Sequence, residues 1–289
     1  MNFEFSAEQE AFRTELRKFL ERECPLELGR LLLDDAAVHN ARRDSVWSGL
    51  AQLGVTSLML PEEAGGFGGG AMELCVAAEE AGRRLAPVPL VSTMYLAVQA
   101  LLLCDDPLQR LPWLRAAAAG RAGCLVAPLD AALDGTHEKN LDDLPWPLTW
   151  QDGALHGTAD LVIGGALAQW AVVLAKGPGG GLMLVAAELE GPCLKRQPLA
   201  SRDPGVYPAA FEFKGLPAQP LTLHAQPAQV LARLRNRAAV LLAFEQLGAA
   251  ERALEQAVAY ARERRTFGRT IGSYQAIKHR LASLYTDIQ

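Results

Sequence analysis

The chain has 289 residues, of which half are hydrophobic and 21% are charged, and its formal net charge is -5. This length allows more than one domain, and this composition is typical of a globular protein. The acidic balance argues against a general nucleic-acid-binding protein, because neutralising phosphates requires a basic face.

The cysteine spacing, the N-terminus and the apolar stretches indicate in which cellular compartment the protein resides. The five cysteines are far apart and form no C-x-x-C pair, which argues against a disulfide framework or a zinc site. The N-terminal sequence MNFEFSAEQE lacks the basic and apolar regions of a signal peptide. The most apolar stretch, residues 88–103, is too short and too polar to span a bilayer. We therefore predict a cytoplasmic protein with no membrane span.

The first part of the chain has helical periodicity. A first helix is predicted to begin at Ser6, whose side chain can cap it while Gln9 reaches back, and to end at Pro25. A second helix is predicted from Asp44 to a C-terminal cap at Gly54.

The glycine-rich segment 65–70 resembles a phosphate-binding loop only superficially. Gly66 and Gly68 give G-x-G, but Ala71 stands at the third glycine position and no strand is predicted to follow. We interpret the segment as a connection to a helix that extends through Leu85.

After a further predicted helix at about 92–103, the pattern changes near Gly123. Short apolar runs bounded by Gly, Pro and Asp replace the helical periodicity, which predicts a compact antiparallel β domain extending to about Leu223. The apolar runs are 124–127, 171–174, 182–185 and 211–213.

The chain then returns to helix. From Pro227 to about Arg265 it has no further proline and one glycine, Gly248, and its apolar residues keep near-helical spacing. This predicts a long helix of the kind used in bundles and subunit interfaces. A second amphipathic helix is predicted from near Ser273.

The junction between these two helices carries the most specific motif. Arg264-x-Thr266-Phe267-Gly268 breaks the helical run, and Gln275 follows seven residues after the glycine. We interpret this segment as an anion- and nucleotide-binding corner, since a guanidinium suits phosphate. The alternative for Arg264 is a solvated arginine that satisfies the last helix carbonyls, and for Phe267 it is core packing.

The order of helices, strands and helices, with these motifs, resembles the acyl-CoA dehydrogenase family of flavoproteins over essentially the whole chain. The matching segments are 2–20, 47–54, 61–66, 79–83, 152–157, 171–173 and 264–277. The resemblance implies an α+β fold with three parts. These are an N-terminal all-α domain (1–121), a middle antiparallel β-barrel domain (122–224) and an incomplete C-terminal helical bundle (225–289).

The resemblance also implies a chemistry. The family is expected to dehydrogenate acyl-CoA thioesters in fatty acid or lipid catabolism, with a carboxylate removing the α proton and FAD accepting the β hydrogen as hydride. It implies an electron-transfer flavoprotein as acceptor and a homo- or hetero-oligomer of dehydrogenase subunits. Arg264 would contact the FAD pyrophosphate, often that of a neighbouring subunit, while Phe267 would pack beside FAD and Gln275 would hydrogen-bond it. No metal site is predicted, because the five histidines lack ligand spacing.

Three departures from the family pattern concern the catalytic centre. Residues 126–129 read Val-Ala-Pro-Leu where the family has a flavin-contacting Thr-Glu-Pro loop, and residues 161–163 read Leu-Val-Ile where it has Trp-Ile-Thr. Each change removes a hydroxyl. No catalytic base is identified: the position that some members use on the long helix is Ala238, the usual glutamate would lie beyond Gln289, and Glu245 is interpreted as an exposed or ion-paired helix residue.

The sequence therefore predicts an FAD-dependent acyl-CoA dehydrogenase, an oxidoreductase acting on a CH–CH group, or a subunit of one. The alternative is a non-catalytic partner that completes a neighbour's FAD site with Arg264 and Gln275, and a third reading is a truncated remnant. Because the last helix has an apolar stripe at residues 277–288, we also expect the 289-residue chain to be oligomeric or poorly soluble.

Overall fold

The computed structural model describes residues 5–128 and 146–288. The N-terminal helices are α1 (Ala7–Glu23), α2 (Leu28–Asp34), α3 (Ala36–Gln52), α4 (Ala71–Arg84), a π-helix (Val91–Ala97), α5 (Val98–Leu102) and α6 (Pro107–Ala118). The strands of the middle part are β1 (Gly123–Val126), β2 (Thr149–Gln151), β3 (Ala154–Val162), β4 (Trp170–Lys176), β5 (Leu182–Glu188), β6 (Leu194–Pro198), β7 (Ala209–Pro217) and β8 (Gln219–Leu221). The chain then forms α7 (Pro227–Glu263), the short strands β9 (Arg265–Thr266) and β10 (Arg269–Thr270), and α8 (Gln275–Ile288).

Side-chain caps mark the starts of helices α1 and α3. The predicted capping box of α1 is confirmed: the Gln9 N–H donates to Ser6 Oγ at 3.2 Å, and the Ser6 N–H donates to Gln9 Oε1 at 2.8 Å. The predicted start of the next long helix at Asp44 was wrong. Helix α3 begins at Ala36, because the Asp35 carboxylate caps it by accepting the Val38 N–H, and its first turns carry no apolar stripe that periodicity could detect.

The middle sheet is predominantly antiparallel, as expected for the family, but it also has two parallel pairings. Its hydrogen-bonded order is β6-β7-β3-β2-β4-β5-β8, with β1 also paired to β4. Strands β1 and β2 both run parallel to β4. These pairings are possible because β1 reaches β4 through a connection that contains β2 and β3, not through a tight hairpin.

Strand β4 separates two hydrophobic cores. Trp170, Val172 and Leu174 pack into the core shared with the helices, while the alternate residues Ala171 and Val173 pack into a second core against the other strands. The strand is therefore buried on both faces and joins the sheet to the N-terminal helices. Strand β1 is tied to the π-helix as well, since the Gly123 N–H donates to the Thr93 hydroxyl at 3.0 Å.

Helices α4 and α7 pack against each other in backbone contact. A Cβ atom on Gly82 would lie 1.9 Å from the Glu245 carbonyl oxygen, and one on Gly248 would lie 1.9 Å from the Glu79 carbonyl oxygen. Only glycine permits this approach at both positions. The crossing fixes the middle of α7 over the N-terminal helices and positions Glu245 at their boundary.

Candidate functional site

The corner after α7 is a hairpin. Arg264 leaves the helix with an extended backbone, while its N–H still donates to the Tyr260 carbonyl at 2.8 Å. Phe267 and Gly268 form the tip between β9 and β10, with φ values of 52° and 80°. Two consecutive positive φ values are typical of a type I′ turn.

Local contacts hold this hairpin between the two helices. The Ile271 N–H donates to the Arg264 carbonyl at 2.8 Å, and the Tyr274 hydroxyl donates to the Thr266 carbonyl at 2.9 Å. The Arg269 guanidinium lies 3.9 Å from the centre of the Tyr274 ring. These contacts hold the backbone of the corner, defined as residues 264–278, in place. The side chains of the corner that make none of these contacts remain available to a ligand.

All three predicted cofactor-binding residues lie in this corner and face outward. Arg264 and Gln275 are exposed, and Phe267 is 92% exposed, so core packing of Phe267 was the wrong alternative. Within residues 5–128 and 146–288, the Arg264 guanidinium has no hydrogen bond or ion pair. Helix α8 begins at Gln275, and its first N–H bond is from Lys278 to the Tyr274 carbonyl at 3.0 Å.

This set of groups fits an anionic cofactor. The N–H groups of the first turn of α8 have no intrahelical acceptors, and a helix N-terminus attracts negative charge. The guanidinium of Arg264 can donate two parallel hydrogen bonds to a phosphate, and the Gln275 amide can donate or accept. The exposed Phe267 ring offers an apolar surface beside them.

A separate cavity of about 360 Å³ lies where α4, the segment after it, the end of β3, the loop 203–206 and α7 meet. Its wall is mainly apolar and includes Leu90, Ile163 and Leu242. Two carboxyl groups, those of Asp203 and Glu245, also line it. A mainly apolar cavity with a few polar groups is typical of a small-molecule site.

The environment of Glu245 differs from the predicted one. It is half-buried and has no ion-pair partner among the described residues, so the interpretation as an exposed or ion-paired helix residue was wrong. Burial raises the pKa of its carboxyl, the charge of Asp203 adds to that rise, and the nearby Tyr95 hydroxyl opposes it. The signal available in the sequence was Gly248, because a glycine inside a long helix indicates close packing of the neighbouring turn.

Sequence reasoning also missed a partly buried ionic network between α1, α4 and α7, with Glu80 at its buried centre. Arg17 donates two hydrogen bonds to Glu80 at 2.8 and 2.6 Å, and Arg13 donates to Glu79. Arg83 donates to Glu251 at 2.9 Å and to Glu255 at 2.6 Å. We interpret the network as the connection between these helices.

The segments that depart from the family pattern lie where the helices meet the sheet. Ala127 follows β1 and Ile163 follows β3, and both pack against the helical core. Neither Val126–Pro128 nor Leu161–Ile163 carries a side-chain hydroxyl, and Leu129 lies outside the described residues. Ala238 is buried and offers no carboxylate.

The described residues lack two kinds of feature. No group of three or more His, Cys, Asp or Glu residues in the described ranges is arranged to hold a metal ion. None of the helices in those ranges is both long and apolar enough to cross a membrane.

Comparison with known proteins identifies the family. The model of the acyl-CoA dehydrogenase N-terminal domain matches residues 6–121, and that of the acyl-CoA dehydrogenase C-terminal domain matches residues 229–289. The chain is 33% identical to acyl-CoA dehydrogenase IpdE2 of Mycobacterium tuberculosis over 85% of this chain, and it spans 62% of that relative's length. The chain therefore belongs to the acyl-CoA dehydrogenase family, as the motifs predicted.

Solved structures agree with this assignment. The Tcur3481-Tcur3483 steroid ACAD G363A variant is 27% identical, with a TM-score of 0.75, and the match covers 97% of this chain and 74% of that chain. An acyl-CoA dehydrogenase from Bacillus anthracis complexed with FAD is 20% identical and shares the fold, with a TM-score of 0.82, covering 99% of this chain and 49% of that chain. The predicted α+β fold is confirmed, and the cofactor of the family is FAD.

Proposed function

We propose that this chain is a subunit of an FAD-dependent acyl-CoA dehydrogenase, which forms a double bond between the α and β carbons of an acyl-CoA thioester. The corner at residues 264–278 carries the proposal. It turns Arg264, Phe267 and Gln275 away from the body of the chain, and the Arg264 guanidinium has no partner among the described residues. These side chains are available to a molecule held by another subunit.

Each corner residue has a distinct role in this proposal. Arg264 would bind the pyrophosphate, because its charge does not titrate away and its planar fork matches phosphate oxygens. Gln275 would hydrogen-bond the cofactor, and the Phe267 ring would cover part of it. FAD, when bound, supplies the acceptor for the hydride.

The cavity beside Glu245 is proposed to receive the acyl group. Its wall would exclude water from the thioester, which strengthens every electrostatic interaction at the reacting carbons. The electrons would pass to an electron-transfer flavoprotein. The compartment would be the cytoplasm, because the five cysteines are free, as is usual under reducing conditions.

A second candidate function is a non-catalytic partner subunit. It is favoured by the absence of side-chain hydroxyls at Val126–Pro128 and Leu161–Ile163 and of a carboxylate at Ala238. Such a subunit would complete the FAD site of a paralogous dehydrogenase through Arg264 and Gln275 without binding FAD in a site of its own.

An absorption spectrum distinguishes these functions. The chain is purified alone and after co-expression with an acyl-CoA dehydrogenase paralogue from the same source, and flavin is measured per chain. Flavin in the chain alone, bleached by an acyl-CoA, supports the self-sufficient enzyme. Flavin only in the co-expressed complex, reduced by Arg264→Ala, supports the partner subunit.

The matched control is Arg265→Ala, which removes an adjacent exposed arginine outside the proposed contact set. Flavin content should be unchanged in this variant. Colourless protein in both preparations, or equal loss in the two arginine variants, would contradict the proposed role of the corner.

A further inference from the structure

A second cavity, of about 330 Å³, lies on the far side of a loop that borders the proposed acyl cavity, here called the first cavity. Three residues of the loop 203–206 line the first cavity: Asp203, Gly205 and Val206. Asp203 also lines the second cavity, together with Pro204. The rest of the second cavity's wall is mainly apolar and includes Leu32, Leu167 and Leu199. A single loop therefore separates two mainly apolar volumes of similar size.

Backbone hydrogen bonds attach this loop to the segment that follows β3. The Gly164 N–H donates to the Val206 carbonyl at 2.7 Å, and the Ala166 N–H donates to the Tyr207 carbonyl at 3.0 Å. Ile163 directly precedes this segment and lines the first cavity. The hydrogen bonds therefore hold two parts of the first cavity's wall together.

Tyr207, which follows the loop, has a strained backbone. Its φ is 45°, which is unfavourable for a bulky residue and persists only where the surrounding contacts enforce it. The Tyr207 hydroxyl donates to the Pro87 carbonyl at 2.6 Å, and the Arg43 guanidinium lies 5.1 Å from the centre of the ring. Arg43 is only 7% exposed and is held in turn by hydrogen bonds to Asn40 and Asp44.

The two contacts of Tyr207 reach different walls. Pro87 belongs to the segment after α4, and its neighbours Ala86 and Val88 line the first cavity. Arg43 belongs to α3 and lines the second cavity, as the tyrosine itself does. Tyr207 therefore ties the loop to α3 on one side and to the segment after α4 on the other. Strained residues cluster at ligand sites, which agrees with this position between two cavities.

We propose that Tyr207 determines the size of the acyl group that this chain accepts, by holding the loop 203–206 as the end wall of the first cavity. It is a positioning residue, because it acts through the loop and does not itself line the first cavity. The proposal rests on the proposed function, in that it assigns the acyl part of an acyl-CoA to that cavity. The substrate class is an acyl-CoA whose apolar group fits about 360 Å³, and displacing the loop would nearly double the apolar volume.

Binding of thioesters of increasing chain length tests the end wall. Butanoyl-, octanoyl-, dodecanoyl- and hexadecanoyl-CoA are titrated calorimetrically into the flavin-containing preparation. For the wild type we expect affinity to rise with length until the first cavity is filled, and not beyond. Tyr207→Gly removes the ring and relieves the strain, so the maximum should move to a longer chain. The longest thioesters should then bind about tenfold more tightly than to the wild type, because further methylenes are buried, while butanoyl-CoA binding stays unchanged.

The matched control is Asp152→Gly. Asp152 also has a positive φ, 51°, but it lies in the turn between β2 and β3 and lines neither cavity. This variant relieves similar strain and should leave the length profile unchanged. Tyr207→Phe, which keeps the ring and loses only the hydrogen bond to Pro87, should shift the profile in the same direction as Tyr207→Gly but less.

The length profile separates an end wall from a merely structural contact. An unchanged profile in both Tyr207 variants overturns the proposal, and so does a loss of affinity that is equal at all lengths. If Tyr207→Gly does not fold, Tyr207→Phe and Arg43→Lys decide, since lysine keeps the charge but not the planar group that faces the ring. Unchanged profiles in these two would overturn the proposal as well.

The same titrations keep the end wall distinct from the proposed function. Unchanged profiles, in a preparation whose flavin is reduced by octanoyl-CoA, overturn the end wall alone. Binding of no thioester by the flavin-containing wild type overturns the proposed function and the end wall with it.

Discussion

At the scale of single residues, Glu80 is the carboxylate whose loss should cost most. It is 1% exposed and receives two hydrogen bonds from Arg17. Glu80→Gln leaves a partly buried guanidinium uncompensated, so we expect a loss of about 3 kcal/mol in the free energy of unfolding. Urea denaturation measures the loss.

The control for this prediction is Glu15→Gln. Glu15 pairs with Lys18, but both side chains are about two-thirds exposed, at 67% and 65%. An exposed ion pair contributes less than about 0.5 kcal/mol. Similar losses in the two variants would contradict a special role for the partly buried network.

The Glu73 carboxyl is expected to make the stability of the protein depend on pH. Its pKa is lowered chiefly by the Gln9 side chain, which donates to Glu73 Oε1 at 2.9 Å, and also by the Gly70 N–H. A carboxyl whose pKa is lower in the folded state stabilises the protein above the unfolded pKa, and the contribution is lost as pH falls through the folded pKa.

We therefore expect Glu73→Gln to cost about 0.5–1 kcal/mol at pH 7, in the range of helix caps. The difference from wild type should be full above the unfolded-state pKa of about 4.3 and should shrink as pH falls below it, toward the lower pKa of the folded-state carboxyl. Unfolding curves at several pH values measure it. A difference that is constant from pH 7 to pH 3 would contradict the assignment.

At the residue level, a candidate site could be proposed from the sequence where a local motif exists. The corner could be identified because Arg264, Phe267 and Gln275 lie within one short segment. Glu245 could not, because its burial depends on the approach of α4 and the π-helix, which are distant in sequence. The cofactor-binding roles of the corner residues stay a prediction.

At the scale of elements, the α4–α7 contact predicts that replacing a helix glycine by alanine lowers the stability of the protein. Alanine is favoured over glycine within a helix by about 1 kcal/mol. At Gly248, however, the added Cβ would lie 1.9 Å from the Glu79 carbonyl oxygen. Gly248→Ala should therefore destabilise the protein, by more than about 2 kcal/mol, as measured by thermal and urea unfolding.

Gly179 is the matched control, because a Cβ added there meets no atom within 4 Å. Gly179→Ala should be neutral or stabilising by up to about 1 kcal/mol. If Gly248→Ala were as stable as Gly179→Ala, the close helix contact would not exist in solution.

In the hairpin, we expect one substitution of Phe267 to raise the stability of the protein and to weaken its retention of flavin. Phe267 has φ 52°, which is costly for an aromatic residue, and the first central position of a type I′ turn favours asparagine. Phe267→Asn should raise stability by about 1 kcal/mol. It should lower flavin retention in the co-expressed complex, because it removes the 92% exposed ring. A gain in stability without a loss of flavin would limit Phe267 to a turn residue.

Element types were predictable where periodicity was strong, as in α1 and α7, and less so where tertiary contacts decide. The start of α3 depends on a side-chain cap, and the parallel pairing of β1 with β4 depends on the attachment of Gly123 to the π-helix. Neither feature leaves a periodic pattern in the sequence. The division at 1–121, 122–224 and 225–289 stays a prediction.

At the scale of the whole molecule, the proposal that the outward-facing corner binds the cofactor predicts association with another dehydrogenase subunit, either a second copy or a paralogue. Apolar side chains extend from the corner along α8: Ile277 is 39% exposed, Leu284 38% and Tyr285 59%. Exposed apolar patches of this kind mark interfaces. Light scattering should give a mass above that of the 31.1 kDa chain.

Replacing Leu284 and Tyr285 together by serine should shift the chain toward the monomer and lower the flavin content of the co-expressed complex in parallel, because the corner can act only on a cofactor that a neighbour presents. Leu108→Ser is the control, since Leu108 is 79% exposed but lies on α6, away from the corner. Unchanged flavin in a monomeric double variant would place the corner's partner within the same chain, and would contradict a site shared between subunits.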